Sequence, residues 1–191
     1  MMLEDLLLRK GSSILHRWLD AVLETYPADS QRFLRKQKDP FANPVGTTLS
    51  RELENLYGEI LKNTETEELT AALDRIIRIR AVQDFSASQA VSFVLMLKRV
   101  VRSELQKEIA EGNFGEELHR FESRIDEISL HAFDLYMKCK EKIFEIRVNE
   151  SRNQVARLLE RAGLVCEFPK GNSDPEEREP GGTASSHEIP S

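Results

Sequence analysis

A chain of 191 residues is one domain by length, and 40% hydrophobic with 31% charged residues supplies both a core and a well-solvated surface. A net charge of −6 gives no basis for broad phosphate binding, so nucleic acid is not an expected partner. No apolar run approaches the ~20 residues that span a membrane, so direct membrane insertion is not expected either.

The start, MMLEDLLLRKGSS, is acidic before it is basic and does not read as a signal peptide. Cys139 and Cys166 lie far apart without metal-like spacing, which suits a reducing, cytoplasmic compartment. No sustained period-two alternation appears and β-branched residues do not cluster, so the fold class expected is all-α, with five main helices and one short one.

The first helix is expected over residues 3–25, with Leu15, Trp18, Leu19, Val22 and Leu23 on one face and Pro27 ending it. A short helix follows Asp29, a candidate cap, with Phe33 and Leu34 as anchors. The stretch DPFANPVG, residues 39–46, reads as a stiff lead-in to the second main helix, residues 44–62. Asn43 is a favourable N-cap in the extended backbone that a following proline imposes, and Pro44 suits the first helical position. Phe41 is expected to plug into the core, and Gly46 to allow close approach of another helix. Because a helix N-terminus also receives anions, Asn43 and Gly46 remain a candidate ligand site. Leu49, Leu53, Leu56, Tyr57 and Ile60 form the inward face of this helix.

The third main helix is expected over 65–82, with Thr64 and Glu67 at capping-box spacing. Its end, LDRIIRIRAVQDF, interleaves Arg75, Arg78 and Arg80 with Ile76, Ile77 and Ile79. Arg75 and Arg78 share a face and Arg80 does not, so there is no single basic stripe. The expected state is packing of the isoleucines and Val82, with ion pairs to residues such as Asp74 or Asp84; an anion or partner site is the alternative. The fourth helix starts at Ser86, which has capping-box spacing to Gln89, and runs to residue 110 through Val91, Val94, Leu95, Leu97, Lys98 and Val101.

The fifth helix is expected from 114 to 162, where no proline occurs and no glycine follows Gly115 until Gly163. Leu118, Phe121, Ile125, Ile128, Ala132, Leu135 and Cys139 alternate steps of three and four, a packed stripe that loses regularity near Ile143. Val148, Val155 and Ala162 resume it seven apart, with Leu158 and Leu159 beside them. An unbroken helix of this span would be ~70 Å long, so it must kink or its second half, 146–168, must project; projection, with packing on a partner helix, is the expectation. From Pro169 the chain is rich in Pro, Gly, Ser and Glu, and residues 169–191 read as a disordered tail.

Chemistry is sparse. His16, His119, His131 and His187 form no short-spaced ligand set, and no phosphate-loop or dinucleotide glycine pattern occurs. Carboxylates alternate with Lys and Arg on helix faces. No catalytic, cofactor-binding or metal-binding residue is assigned, and no enzyme activity is expected.

Three stretches do carry a resemblance: HRWLDAVLETYP, DPFANPVG and LDRIIRIRAVQDFSASQAVSFVLMLKRVV. Together they look like the N-terminal domain of RsbR-type stressosome co-antagonists, of the RsbRD type, over about residues 10–145. The resemblance implies an all-α, globin-like sensor domain, usually without haem, that dimerises. In such proteins the last helix passes a signal to a C-terminal STAS domain. Only the tail follows that helix here, so the chain reads as a stand-alone form. The implied function is a non-enzymatic sensory or regulatory module acting on protein partners, homodimeric through the long last helix. EISLHAFDLYMKCKEKIFEIRVNE also looks like stand-alone members encoded beside sulfite-reduction components, which makes an assembly role for a membrane-bound electron-transport complex the alternative. If the fold is globin-like, the third helix takes the place of the iron-ligand helix. Residues 65–85 hold no histidine, cysteine, tyrosine or methionine, so haem is not expected. The residues to follow for interaction are Asn43, Gly46, Arg75, Arg78, Arg80, Val148, Val155, Leu158 and Leu159.

Overall fold

The structure, a computed structural model, describes residues 2–36, 39–62 and 66–163. Among them every regular element is helical: α1 Leu3–Arg9, α2 Gly11–Leu23, α3 Ala28–Lys36, α4 Pro44–Leu61, α5 Glu67–Val82, α6 Ala87–Glu104, α7 Gln106–Glu111 and α8 Gly115–Arg161. The expected tail, 169–191, lies outside the described residues, as does Thr64. Two compact units divide the chain, Met1–Glu150 and Ser151–Ser191.

The core of the first unit is built by the faces that periodicity selects. Trp18 and Val22 of α2, Leu49, Leu53 and Leu56 of α4, Leu73, Ile76 and Ile77 of α5, and Phe93, Val94 and Leu97 of α6 are fully or almost fully buried. Trp18 also donates its indole N–H to the Phe93 carbonyl at 2.7 Å, which pins α2 to α6 and satisfies the polar end of a buried aromatic. Tyr57 donates to the Leu7 carbonyl at 2.9 Å, joining α4 to α1. Burial without a charged partner pushes the Tyr57 phenol well above its usual range.

Two long helices expected from the sequence are each broken in the structure. Residues 3–25 split at Lys10, whose backbone leaves the helical well (φ −97°, ψ 8°). Gly11 follows, where a Cβ would stand in ordinary van der Waals contact with the Tyr57 ring, at 3.4 Å. Lys10 Nζ bridges the break by reaching the Glu104 carbonyl at 2.8 Å and Glu108 at 2.6 Å. The fourth expected helix breaks at Leu105, again near φ −104°, ψ 15°, because its side chain is drawn fully into the core. The Ser86–Gln89 capping box is present as expected. The cap of α5 is Thr66, whose hydroxyl accepts from Leu69 N at 3.0 Å and donates to Glu59 at 2.8 Å.

Four further expectations fail for local reasons. Phe41 is 97% exposed and plugs nothing. Phe33 is exposed while Leu34 alone packs inward, so one apolar side chain and not two anchors α3 on the core. Asp29 lies inside the first turn of α3 and not at its cap. Val82 is 69% exposed, since Ala81 takes the inward position at the end of α5.

α8 packs its core face across the other helices. Leu118, Ile125, Ile128, Ala132 and Tyr136 are buried. Polar ties fix its register: Leu3 N donates to Glu117 at 2.6 Å, Lys98 meets Asp126 at 2.6 Å, Arg102 forks onto Glu122 at 2.5 and 2.8 Å, and Thr70 lies 3.3 Å from His131. The side turned away from the core carries Leu130, Phe133, Met137 and Phe144, all exposed. In the second unit, Val155, Leu158 and Leu159 of α8 are exposed as well.

Candidate functional site: a caged arginine and the joints beside it

α5 ends at a tight corner. Asp84 adopts the left-handed region at φ 57°, a conformation open to aspartate more than to most residues. Phe85 N then donates back to the Arg80 carbonyl at 3.3 Å. The corner folds the Phe85 ring over the guanidinium of Arg80, 4.4 Å from ring centroid to Cζ. Tyr26 and Phe93 supply two more faces at 5.6 and 5.8 Å, and Tyr26 meets Phe85 edge-on at 5.1 Å.

Arg80 is fully buried. Its Nη2 donates to Thr25 Oγ1 and to the Gln89 carbonyl, both at 2.9 Å. Nε and Nη1 find no acceptor among the described residues, and neither does the buried Tyr26 hydroxyl. Among the described residues no carboxylate pairs with the cation there, which corrects the expected ion pair. Aromatic faces attract a desolvated cation by about 2 kcal/mol or more, but they accept no N–H in the manner of an oxygen. Burial draws the Arg80 pKa down, with the Tyr26 phenol opposing this. Burial raises the Tyr26 pKa, and Arg80 pulls it back.

The corner is also tied to α8. The buried Tyr136 hydroxyl donates to the Phe85 carbonyl at 2.6 Å. Lys140 and Arg147 stand 3.7 and 3.9 Å from exposed Asp84, contacts of little energy in water.

The other two arginines go elsewhere. Arg75 Nη1 meets Glu52 at 3.0 Å, and Arg51 meets the same carboxylate at 2.9 Å. Glu52 is fully buried, and Asn55 donates to it at 3.2 Å. Burial raises its pKa, but the hydrogen bonds from Arg75, Asn55 and Arg51 together outweigh that and hold it below the usual carboxylate range. Arg78 pairs with Asp74 at 2.6 Å on the helix surface, as expected. Arg75, Arg78 and Arg80 therefore serve three separate environments.

Asn43 caps α4 as expected, accepting from Gly46 N at 2.9 Å. Its backbone (φ −130°, ψ 65°) falls short of fully extended. Its amide also donates to the Leu34 carbonyl at 2.9 Å, taking up a C-terminal carbonyl of α3. The reason for Gly46 is this cap and not a neighbouring helix: a Cβ would lie 2.4 Å from the Asn43 amide nitrogen. Asn43→Ala should cost about 2 kcal/mol in urea unfolding, one cap plus one stranded carbonyl. Below about 0.5 kcal/mol, the joint would have no structural role.

Beside this joint lies a groove of about 470 Å³ between Tyr26, α3, the first turn of α4 and Gln83 at the end of α5. Sequence reasoning selected Asn43 and Arg80 but missed Tyr26, Phe85 and Phe93, the residues that relate them. The family model of the RsbT co-antagonist protein RsbRD N-terminal domain matches residues 12–151. The chain belongs to this family. An uncharacterized protein of Archaeoglobus fulgidus is 28% identical over 140 residues, covering 72% of this chain and 82% of its own length. No solved structure matches. As an RsbRD N-terminal domain, the matched span takes in the caged arginine, the groove and α8 to just past Glu150. α1 and Val155, Leu158 and Leu159 fall outside it; Val148 falls inside and is half-buried.

Proposed function

We infer that the protein is a non-enzymatic regulatory module in which the Arg80 corner is the input and α8 is both dimer interface and output. The observation that carries this is the apolar row Leu130, Phe133, Met137 and Phe144. These residues step by three, four and seven along α8, opposite its core face, and Leu130 and Phe144 are 70% and 69% exposed. A row of that spacing is half of a helix–helix seam, and a second copy of α8 supplies the other half. The protein-binding function of the family supports the reading. Among the described residues no helix is long and apolar enough to cross a membrane.

The Tyr136–Phe85 hydrogen bond is the link from input to output. Whatever moves the Phe85 ring on Arg80 also moves the carbonyl that Tyr136 holds. Switching needs two arrangements with different ligand affinity, and a buried aromatic cage with unused donors has a reason to rearrange. Exposed Val155, Leu158 and Leu159 then offer apolar contact to the next helix in the relay. Amide hydrogen exchange tests the link. Tyr136→Phe should speed exchange across residues 83–90 without changing the secondary structure; unaltered exchange there would break the connection.

A further inference from the structure

α3 is a wall with nothing on its outer side. None of its nine residues is fully buried, yet the helix is pinned at two points. Gln31 donates to the Tyr26 carbonyl at 2.7 Å, and the Asn43 amide donates to the Leu34 carbonyl at 2.9 Å. The groove of about 470 Å³ that Phe33 and Leu34 share with Val45 and Tyr26 is therefore preformed. Phe33 is 52% exposed, and Phe41, in the loop that joins α3 to α4, is 97% exposed. Two phenylalanines in water beside one fixed groove mark an interaction surface.

Charge says what covers it. The chain carries a net −6, but α3 carries Arg32, Arg35 and Lys36 against Asp29 alone. Arg35 turns to Asp20 and Glu24, at 3.6 and 3.8 Å. Arg32 and Lys36 are exposed and meet no carboxylate among the described residues. Lys36 follows Phe33 by three residues and Asp29 by seven, and Arg32 precedes Lys36 by four, so both cations line the Phe33 edge of α3. Asp29 sits in the first turn of α3, where it complements the helix dipole. Asp39 accepts from Phe41 N at 3.0 Å within its own loop. The rim of the groove is net positive on an acidic protein.

We propose that the α3–α4 groove docks an acidic segment of a protein partner. One large apolar side chain of the segment enters between Phe33 and Val45, and flanking carboxylates meet Arg32 and Lys36. The apolar anchor supplies most of the affinity, and the two cations select the partner. The proposal rests on the reading of the Arg80 corner as the input and names what bears on it. Tyr26 lines the groove and meets Phe85 edge-on at 5.1 Å, and the Phe85 carbonyl holds Tyr136 of α8.

Fluorescence anisotropy of the full chain with a labelled peptide, one central phenylalanine flanked by glutamates, is the test. The peptide should bind saturably. Binding should weaken at least about tenfold when its phenylalanine is replaced by alanine, and again when its glutamates are replaced by lysines. Arg32→Gln with Lys36→Gln keeps good helix formers at two exposed positions, so helical circular dichroism should not change. That double variant should bind about tenfold more weakly and lose most of the salt dependence seen between ~50 and ~500 mM. Phe33→Ala should weaken binding by a similar factor without that loss of salt dependence. No saturable binding, equal binding of the lysine peptide, or unchanged affinity in the double variant or in Phe33→Ala would each overturn the proposal. Binding as expected, with hydrogen exchange of residues 83–90 unchanged, would uphold the surface and refute the Arg80 corner as the input. An intact α8 dimer with no peptide binding would refute the surface and leave the dimer standing.

Discussion

Trp18→Ala should lower the unfolding free energy by ~3–5 kcal/mol, measured by urea denaturation at one fixed protein concentration. Trp18 is fully buried and reaches Phe93 across the α2–α6 interface. Removing it leaves a large void beneath the aromatic cage, because Phe93 is also a wall of the Arg80 site. Trp18→Phe separates the two contributions. It retains part of the packing and loses the N–H donated to Phe93, so it should cost less, about 1–2 kcal/mol. A near-zero effect of Trp18→Ala would mean that α2 does not present this face to α6.

The second large effect is expected where a charge is buried. Replacing both Arg51 and Arg75 by alanine leaves the Glu52 carboxylate with Asn55 alone and should cost about 3 kcal/mol at neutral pH. The value sits at the low end for such a change because both guanidiniums are more than half exposed and water replaces part of their effect. The pH dependence carries the sign. In the native protein the folded Glu52 pKa lies below the unfolded value near 4.5, so its contribution is present above that pH and is lost as pH falls through the folded pKa. Without the two arginines, burial is the stronger influence and raises the folded pKa. The penalty of the double variant should therefore shrink as pH falls toward 4.5 and below. A penalty that stays constant across this range would show that Glu52 is not the group left unpaired.

Much of the fold was legible because apolar spacing records which side of a helix is buried. Leu49, Leu53, Leu56 and Ile60 on α4, and Leu118, Ile125, Ile128 and Ala132 on α8, fall where periodicity puts them. The helix breaks at Lys10 and Leu105 were not legible, since neither carries proline and each depends on a tertiary contact. Lys10 reaches Glu104 and Glu108 across the first break, and the Leu105 side chain is pulled inward. Phe41 misled because aromatic character alone does not bury a side chain in a turn. Arg80 and Glu52 could have been found. Arg80 follows Leu73, Ile76 and Ile77 by seven, four and three residues, and Glu52 lies three after Leu49 and four before Leu56. Each charge sits on a buried stripe, and a charge on such a stripe must be met from other elements, by guanidiniums for Glu52 and by Thr25, the Gln89 carbonyl and aromatic faces for Arg80. What spacing cannot reveal is the partner from another element. Tyr26 and Phe85 are 59 residues apart in sequence and touch only because α5 turns at Asp84.

The reading stands or falls on α8 as an interface between two copies. Sedimentation equilibrium of the full chain in the tens of micromolar should give twice the 21.9 kDa chain mass. The paired substitutions Leu130→Glu and Phe144→Glu place carboxylates on the exposed row without touching the buried face, and should return the mass to a single chain with unchanged helical circular dichroism. A native protein that sediments as a monomer, or a doubly substituted one that remains a dimer, would contradict it.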